Sequence, residues 1–236
     1  MQIPVQLFSL VHLAILAMVP LLAAALALLQ RRFARADRAV RLGLAMSLVV
    51  CTSLFYGRFV LVGERMFPRH LPLELCDIAL WLAIACLLSR SKALFDVGYY
   101  WCIAGPAMAL LTPNLTENSV FLTVQFFADH GLIVVAMLYL LWTGQARPRP
   151  GSLLKAVLAL NGLALAIGTF DWVFGTDYMF LMRKPPTASL LDLFGPWPWY
   201  ILAGEAVGVV LFGLLYLPYR RAEASATRRK DRVRAA

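Results

Sequence analysis

The feature that most constrains this chain is a succession of long apolar runs with almost no mass between them. Seven stretches, at about 6–29, 40–63, 72–89, 93–112, 118–142, 153–172 and 199–217, are each close to the ~20 apolar residues that one helix needs to cross a bilayer. Hydrophobic residues make up 61% of the 236, charged residues 15%, and the mean hydropathy is +0.73. A soluble domain is roughly 45–50% apolar, so the bilayer is the natural solvent for this chain. The runs leave no room for a separate soluble domain. They predict an all-α, polytopic transmembrane helix bundle of about seven spans, with 1–219 as a single membrane domain and 220–236 as a basic tail.

The net charge of +9 does not point to nucleic acid, because the basic residues flank the apolar runs instead of forming one patch. Seventeen of the 22 Lys and Arg fall in four segments, after the first, third, fifth and seventh runs. The positive-inside rule then predicts the N-terminus outside and the C-terminus, with its basic tail, in the cytoplasm. The first run has no basic residue ahead of it, so it reads as a retained helix and not as a cleaved leader. The expected location is the cell membrane, as a multi-pass protein of a bacterial cytoplasmic membrane. Gly204 and Gly208 form a G-x-x-x-G step in the last run that suits close packing within the bundle or a contact between copies.

Chemistry in such a chain must sit among the helices. An ionisable group at a helix centre in hydrocarbon costs at least ~2.5–3.5 kcal/mol, and each one calls for a partner or a purpose. Here they are Arg58, Glu74, Asp77, Asp96, Asp129, His130, Asp171 and Glu205. Cys51, Cys76, Cys86 and Cys102 form no C-x-x-C pair and no metal-ligand cluster, so neither a metal nor another cofactor is expected.

The third run begins HLPLELCDIALW. With Pro72 as its first helical residue, His70, Glu74, Asp77 and Trp81 share one helix face. Cys76 lies in the first turns, where free backbone N–H groups and the helix dipole favour a thiolate. His130 follows Gln125 and Asp129, which share a face, and precedes Gly131. A cysteine and a histidine on neighbouring helices can serve as nucleophile and base. Each alone serves equally well as a packing or hydrogen-bonding residue. Depth argues against the pair: Cys76 is a few residues into its run, whereas His130 is about twelve residues into its own, or ~18 Å. The pair requires the fifth helix to begin earlier in space, or the third to be tilted or broken.

The blocks HLPLELCDIALW, YYWCIAGPAMALLTPNL, FFADHGLIV and DYMFLMRKPPTASLLDLFGPWPWYI, in this order, resemble the YwaF-like conserved integral membrane proteins of bacteria. Eukaryotic relatives of that group are transmembrane acyltransferases acting on ether phospholipids, with a distant kinship to membrane hydrolases that use a Thr and a His. The resemblance implies a catalytic pair matching Cys76 and His130. It departs at Asp171 and Asp177, where the bacterial pattern often has Asn.

The combined expectation is a membrane-embedded lipid acyltransferase or acyl hydrolase working through a thioester on Cys76, with His130 as base. Its substrate would be a membrane phospholipid or acyl-CoA. Glu74, Asp77 and Asp129 are candidates to orient the histidine or shape a headgroup site, Asn114 and Asn161 to donate to an oxyanion, and Arg183 and Lys184 to meet a lipid phosphate. The rival expectation is a small transporter or ligand-binding membrane protein without covalent catalysis, in which the acids form a relay. A third is a membrane assembly factor.

Overall fold

In the computed structural model, residues 6–113, 119–185 and 190–235 are described, with side chains omitted for 190 and 221–235. Every regular element among them is helical. The helices are α1 (Leu10–Arg32), α2 (Ala36–Leu61), α3 (Leu75–Ser89), α4 (Lys92–Leu111), α5 (Val120–Trp142), α6 (Ser152–Phe174) and α7 (Trp199–Ala235). Short 3₁₀ turns lie at Tyr178–Phe180 and Leu190–Phe194. The polytopic bundle expected from the apolar runs is what the chain forms, with six helices of 20 to 26 residues long and apolar enough to cross a membrane. Serine hydroxyls start α1, α4 and α5: Ser9, Ser91 and Ser119 accept from the backbone N–H three residues on.

The seventh helix, α3, differs in kind. It has 15 residues, or ~22 Å, against a hydrocarbon thickness of ~30 Å. It is apolar on all sides, and Ala79, Leu80, Ala83, Ile84, Cys86 and Leu87 are all buried among α2, α4 and α5. A helix hydrophobic all round belongs in a core. By contrast α1, α6 and α7 bury few side chains and present their leucines and valines outward.

Polar bonds hold one end of the bundle level. Asp37 of α2 accepts from Tyr139 Oη of α5 at 2.8 Å and from Gln145 just beyond it at 2.7 Å, and pairs with Arg41 at 3.0 Å. Arg41 also donates to the Leu87 carbonyl of α3, and Arg90 lies 3.6 Å from Asp37. At the same end the fully buried Asp96 of α4 takes a two-pronged contact from Arg149, 2.7 and 3.0 Å, and one from Lys155 at 3.3 Å. This is the basic end of the bundle.

Two expectations are corrected. The third helix starts at Leu75 with Glu74 as its N-cap, so Pro72 is not a helical residue and His70 lies off the helix. His70 instead stacks on Phe59, with centroids 4.1 Å apart, and meets Glu64 at 2.9 Å. Within the bundle the Gly204–Gly208 step does not make a tight helix crossing: a methyl at Gly208 would meet nothing within 4 Å, and both glycines line a cavity. The apolar span expected at 199–217 is the first part of α7, whose helical backbone runs on through the basic tail to Ala235.

Candidate functional site

The segment that enters α3 is built from the capping residues outward. Asp77 Oδ2 accepts from the Glu74 backbone N–H at 3.2 Å and from Tyr56 Oη of α2 at 2.7 Å. Glu74 Oε2 accepts from the Met179 N–H at 2.9 Å, which ties the α6–α7 connection to the start of α3. That connection folds back as a strap. Buried Asp171 Oδ1 accepts from Thr176 Oγ1 at 2.6 Å and the Tyr178 N–H at 3.0 Å. Tyr178 Oη donates to the Pro68 carbonyl and accepts from the Leu71 N–H, both at 2.8 Å. Burial raises the Tyr178 phenol above its usual range.

Strap and α3 entry together enclose a polar recess of about 410 Å³, lined by Arg69, Glu74, Thr176, Asp177, Tyr178 and Arg183. Arg183 pairs with Asp177 at 3.2 Å and is largely exposed. Lys184 is 3.9 Å from Asp192 and lies over the Tyr200 ring. Glu74 and Arg183 therefore share the recess, and Lys184 stands apart from it. Asn114 lies outside the described residues. Asn161 is on α6, where it donates to Glu205 Oε1 at 2.5 Å and to the Val157 carbonyl at 3.0 Å, on the wall of a cavity that Leu75 of α3 also lines.

The short α3 removes the depth mismatch between Cys76 and His130. Counted from the basic end, where Leu87 and Arg90 of α3 share the Asp37 and Arg41 network with Tyr139 of α5, Cys76 is thirteen residues up α3 and His130 twelve up α5. These heights are ~20 and ~18 Å. The helices pack side by side, and Asp129, next to His130, lies within electrostatic reach of Cys76 and Asp77 on α3 and of Cys51 on α2. No hydrogen bond joins Cys76 to His130 among the described residues, and neither lines the polar recess. Glu74 and Asp77 neighbour Cys76 on α3, and Asp129 neighbours His130 on α5.

His130 Nδ1 is 2.8 Å from the Phe126 carbonyl, an acceptor only. The ring proton must therefore sit on Nδ1, leaving the Nε2 lone pair as the basic site. Phe126 packs on the ring at 4.3 Å between centroids and fixes its orientation. Asp129 Oδ2 accepts from Gln125 at 3.2 Å, while Oδ1 is buried with no hydrogen-bond partner among the described residues. An apolar groove of about 520 Å³ between α1 and α5 passes Ala128 and Gly131, on the turn that carries His130.

Sequence reasoning missed several residues that shape this region. His12 is fully buried in α1, accepting from the Phe8 N–H at 3.0 Å through Nδ1 and donating from Nε2 to the Leu110 carbonyl at 2.8 Å. Its place near the start of an apolar run was the available signal. Tyr56, Arg69 and Tyr178 act across distances in sequence that no local spacing reveals.

No curated protein and no solved structure matches the chain. Among protein-family models, that of the TMEM164 family matches residues 7–216, from α1 through the strap and into α7. This multi-pass membrane protein therefore belongs to the TMEM164 family.

Proposed function

We propose that the chain is a membrane-embedded acyl-transferring enzyme in which Cys76 is the nucleophile and His130 the general base. The observation that carries this reading is the common height of the two residues on adjacent helices, with the lone pair of His130 on Nε2. His130 Nε2 takes the thiol proton and the sulfur attacks the acyl carbonyl. The tetrahedral intermediate collapses to an acyl-thioester as the alcohol or thiol of the donor leaves with that proton. An acceptor hydroxyl then gives its proton to Nε2 and attacks the thioester, releasing Cys76. A lysophospholipid as acceptor makes the enzyme a transferase, and water makes it a hydrolase.

The polar recess suits a phospholipid headgroup, with Arg69 and Arg183 offering guanidinium groups to phosphate. The groove past Gly131 suits an acyl chain. The distribution of basic residues puts the basic end in the cytoplasm, and the recess then opens on the outer side of a cell membrane. Asn161 and Lys184 take no part in this reading, and Glu74 and Asp77 act by fixing the start of α3.

The test is thioester trapping. Purified protein in lipid is incubated with radiolabelled phospholipid or acyl-CoA, and hydroxylamine-sensitive label is measured on wild type, Cys76→Ala and His130→Ala. Label on wild type that is lost in both variants supports the assignment. A wild type that never labels, or a Cys76→Ala that labels equally, overturns it.

A further inference from the structure

A second cavity, of about 330 Å³, lies between α4, α6 and α7, closed at one end by the strap and Leu191. Its walls are apolar apart from Asn161, Glu205 and Tyr200. It exists because Gly105 of α4 and Gly208 of α7 present no side chain, with nothing within 4 Å of where their Cβ atoms would be. Contact between α6 and α7 is sparse, so the slot opens sideways between them to the bilayer.

The polar chemistry inside is one-sided. Both N–H groups of Asn161 are committed, one to the Val157 carbonyl and one to Glu205 Oε1. The amide orientation is forced, because both partners are acceptors. Tyr200 Oη donates to the Phe180 carbonyl at 2.6 Å. What remains for a ligand is Glu205 Oε2 and Asn161 Oδ1, acceptors both, beside a carboxylate. No Lys or Arg among the described residues lines the slot, and Lys184, over the Tyr200 ring, is 3.9 Å from Asp192, so Glu205 is the acidic group on its wall. A lateral apolar slot with acceptors and a negative charge on its wall excludes a carboxylate-ended chain and favours a chain that brings donors and positive charge. An ammonium offers three N–H donors where a hydroxyl offers one. In a low-dielectric setting the charged contact is much the stronger.

We propose that this slot binds a single-chain amphiphile with a protonated amine head, its alkyl chain along Gly105 and Gly208 and its ammonium on Glu205 and Asn161. Leu75 of α3 lines the slot, but neither Cys76 nor His130 does, and the proposal does not depend on acyl transfer.

The test uses the full chain in phosphatidylcholine nanodiscs and three photoactivatable C16 probes that differ only in the head: primary amine, alcohol and carboxylate. Crosslinks are mapped by mass spectrometry. The expected result is amine labelling of α4 and α7 at Met108 and Val207–Leu211, at least ~10-fold above the carboxylate and clearly above the alcohol. Labelling should fall at least ~5-fold in Glu205→Gln, which keeps the Asn161 hydrogen bond and removes the charge. It should fall likewise in Gly208→Leu, which fills open space and leaves the fold intact. Amine labelling unchanged in either variant, labelling outside the slot, or equal labelling by the carboxylate or alcohol probe would overturn the proposal.

Discussion

Removing the Tyr56 hydroxyl isolates the bond that sets where α3 begins. Asp77 Oδ2 receives two donors, Tyr56 Oη at 2.7 Å from α2 and the Glu74 N–H at 3.2 Å from its own cap. Hydrogen bonds between membrane helices average about 0.6 kcal/mol and reach about 1.7. An N-terminal capping contact contributes ~1 kcal/mol. Tyr56→Phe keeps the ring and the cap and loses only the interhelical bond, so it should cost about 0.6–1.7 kcal/mol. Asp77→Ala loses both and should cost about 2–3 kcal/mol by the same figures. Adding Tyr56→Phe to Asp77→Ala should then cost almost nothing further. Reversible unfolding in mixed micelles, followed by helical circular dichroism, gives all four corners of the cycle. A Tyr56→Phe cost that is the same with and without Asp77, within the ~0.3–0.5 kcal/mol error of such cycles, would refute the claim that this pair anchors α3. A loosened α3 start should also raise the maleimide reactivity of Cys76 in Tyr56→Phe, which a purely local loss would not do.

Three further outcomes follow from the same kind of counting. Asp171→Ala removes the acceptor for Thr176 and Tyr178 and should cost about 2–4 kcal/mol, whereas Asp171→Asn keeps Oδ1 and should cost ~1 or less, since Oδ2 has no partner among the described residues. The thermal midpoint of the two variants separates them. His12→Ala should cost about 1–3 kcal/mol by freeing α1 from the Leu110 carbonyl, and His12→Gln should recover part of it; limited proteolysis reports whether α1 is the element released. Burial raises the Tyr178 phenol, so its stabilising contribution is complete below the ordinary tyrosine range near 10 and is lost as pH rises through the higher folded value. Tyr178→Phe should lower stability by about 1–2 kcal/mol at neutral pH and abolish that alkaline component of the unfolding profile.

The long helices were legible because lipid imposes one rule on every exposed span. Six predicted runs match helices to within a few residues, apart from the continuation of α7, since length and apolarity are local properties. The start of α3 was misjudged for a local reason as well. Pro72 is as suitable a first helical residue as any, and only Asp77 reaching back to Glu74 shows that the cap falls three residues later. Cys76 and His130 were identifiable as residues, but the strap was not. Met179 on Glu74, and Tyr178 on Pro68 and Leu71, join positions about a hundred residues apart. The stripe through His70 was a helical extrapolation across residues that are not helical.

The departure at α3 follows from a physical distinction that the apolar pattern does contain. Spanning length is imposed on a helix by the lipid around it, and α1, α6 and α7, with their exposed apolar faces, obey it. A helix that is apolar on every side and packed against α2, α4 and α5 meets mostly protein, with Trp81 and Leu88 left exposed, so its length is less constrained. The chain ahead of it can then remain irregular at membrane depth, provided its backbone groups find partners within the protein. They do: the Pro68 carbonyl and Leu71 N–H are both taken by the Tyr178 hydroxyl, and His70 N–H by the Met66 carbonyl. The same substitution of protein for lipid creates the polar recess and sinks the second residue of α3 to the height of the middle of α5. A cysteine near a helix start can therefore stand at about the height of a histidine at a helix centre, because α3 begins deeper than α5. Lengthening α3 by one turn at its N-terminal side of Cys76 should leave that height unchanged, whereas inserting a turn between Cys76 and Ser89 should raise the thiol by ~5.4 Å and abolish thioester formation.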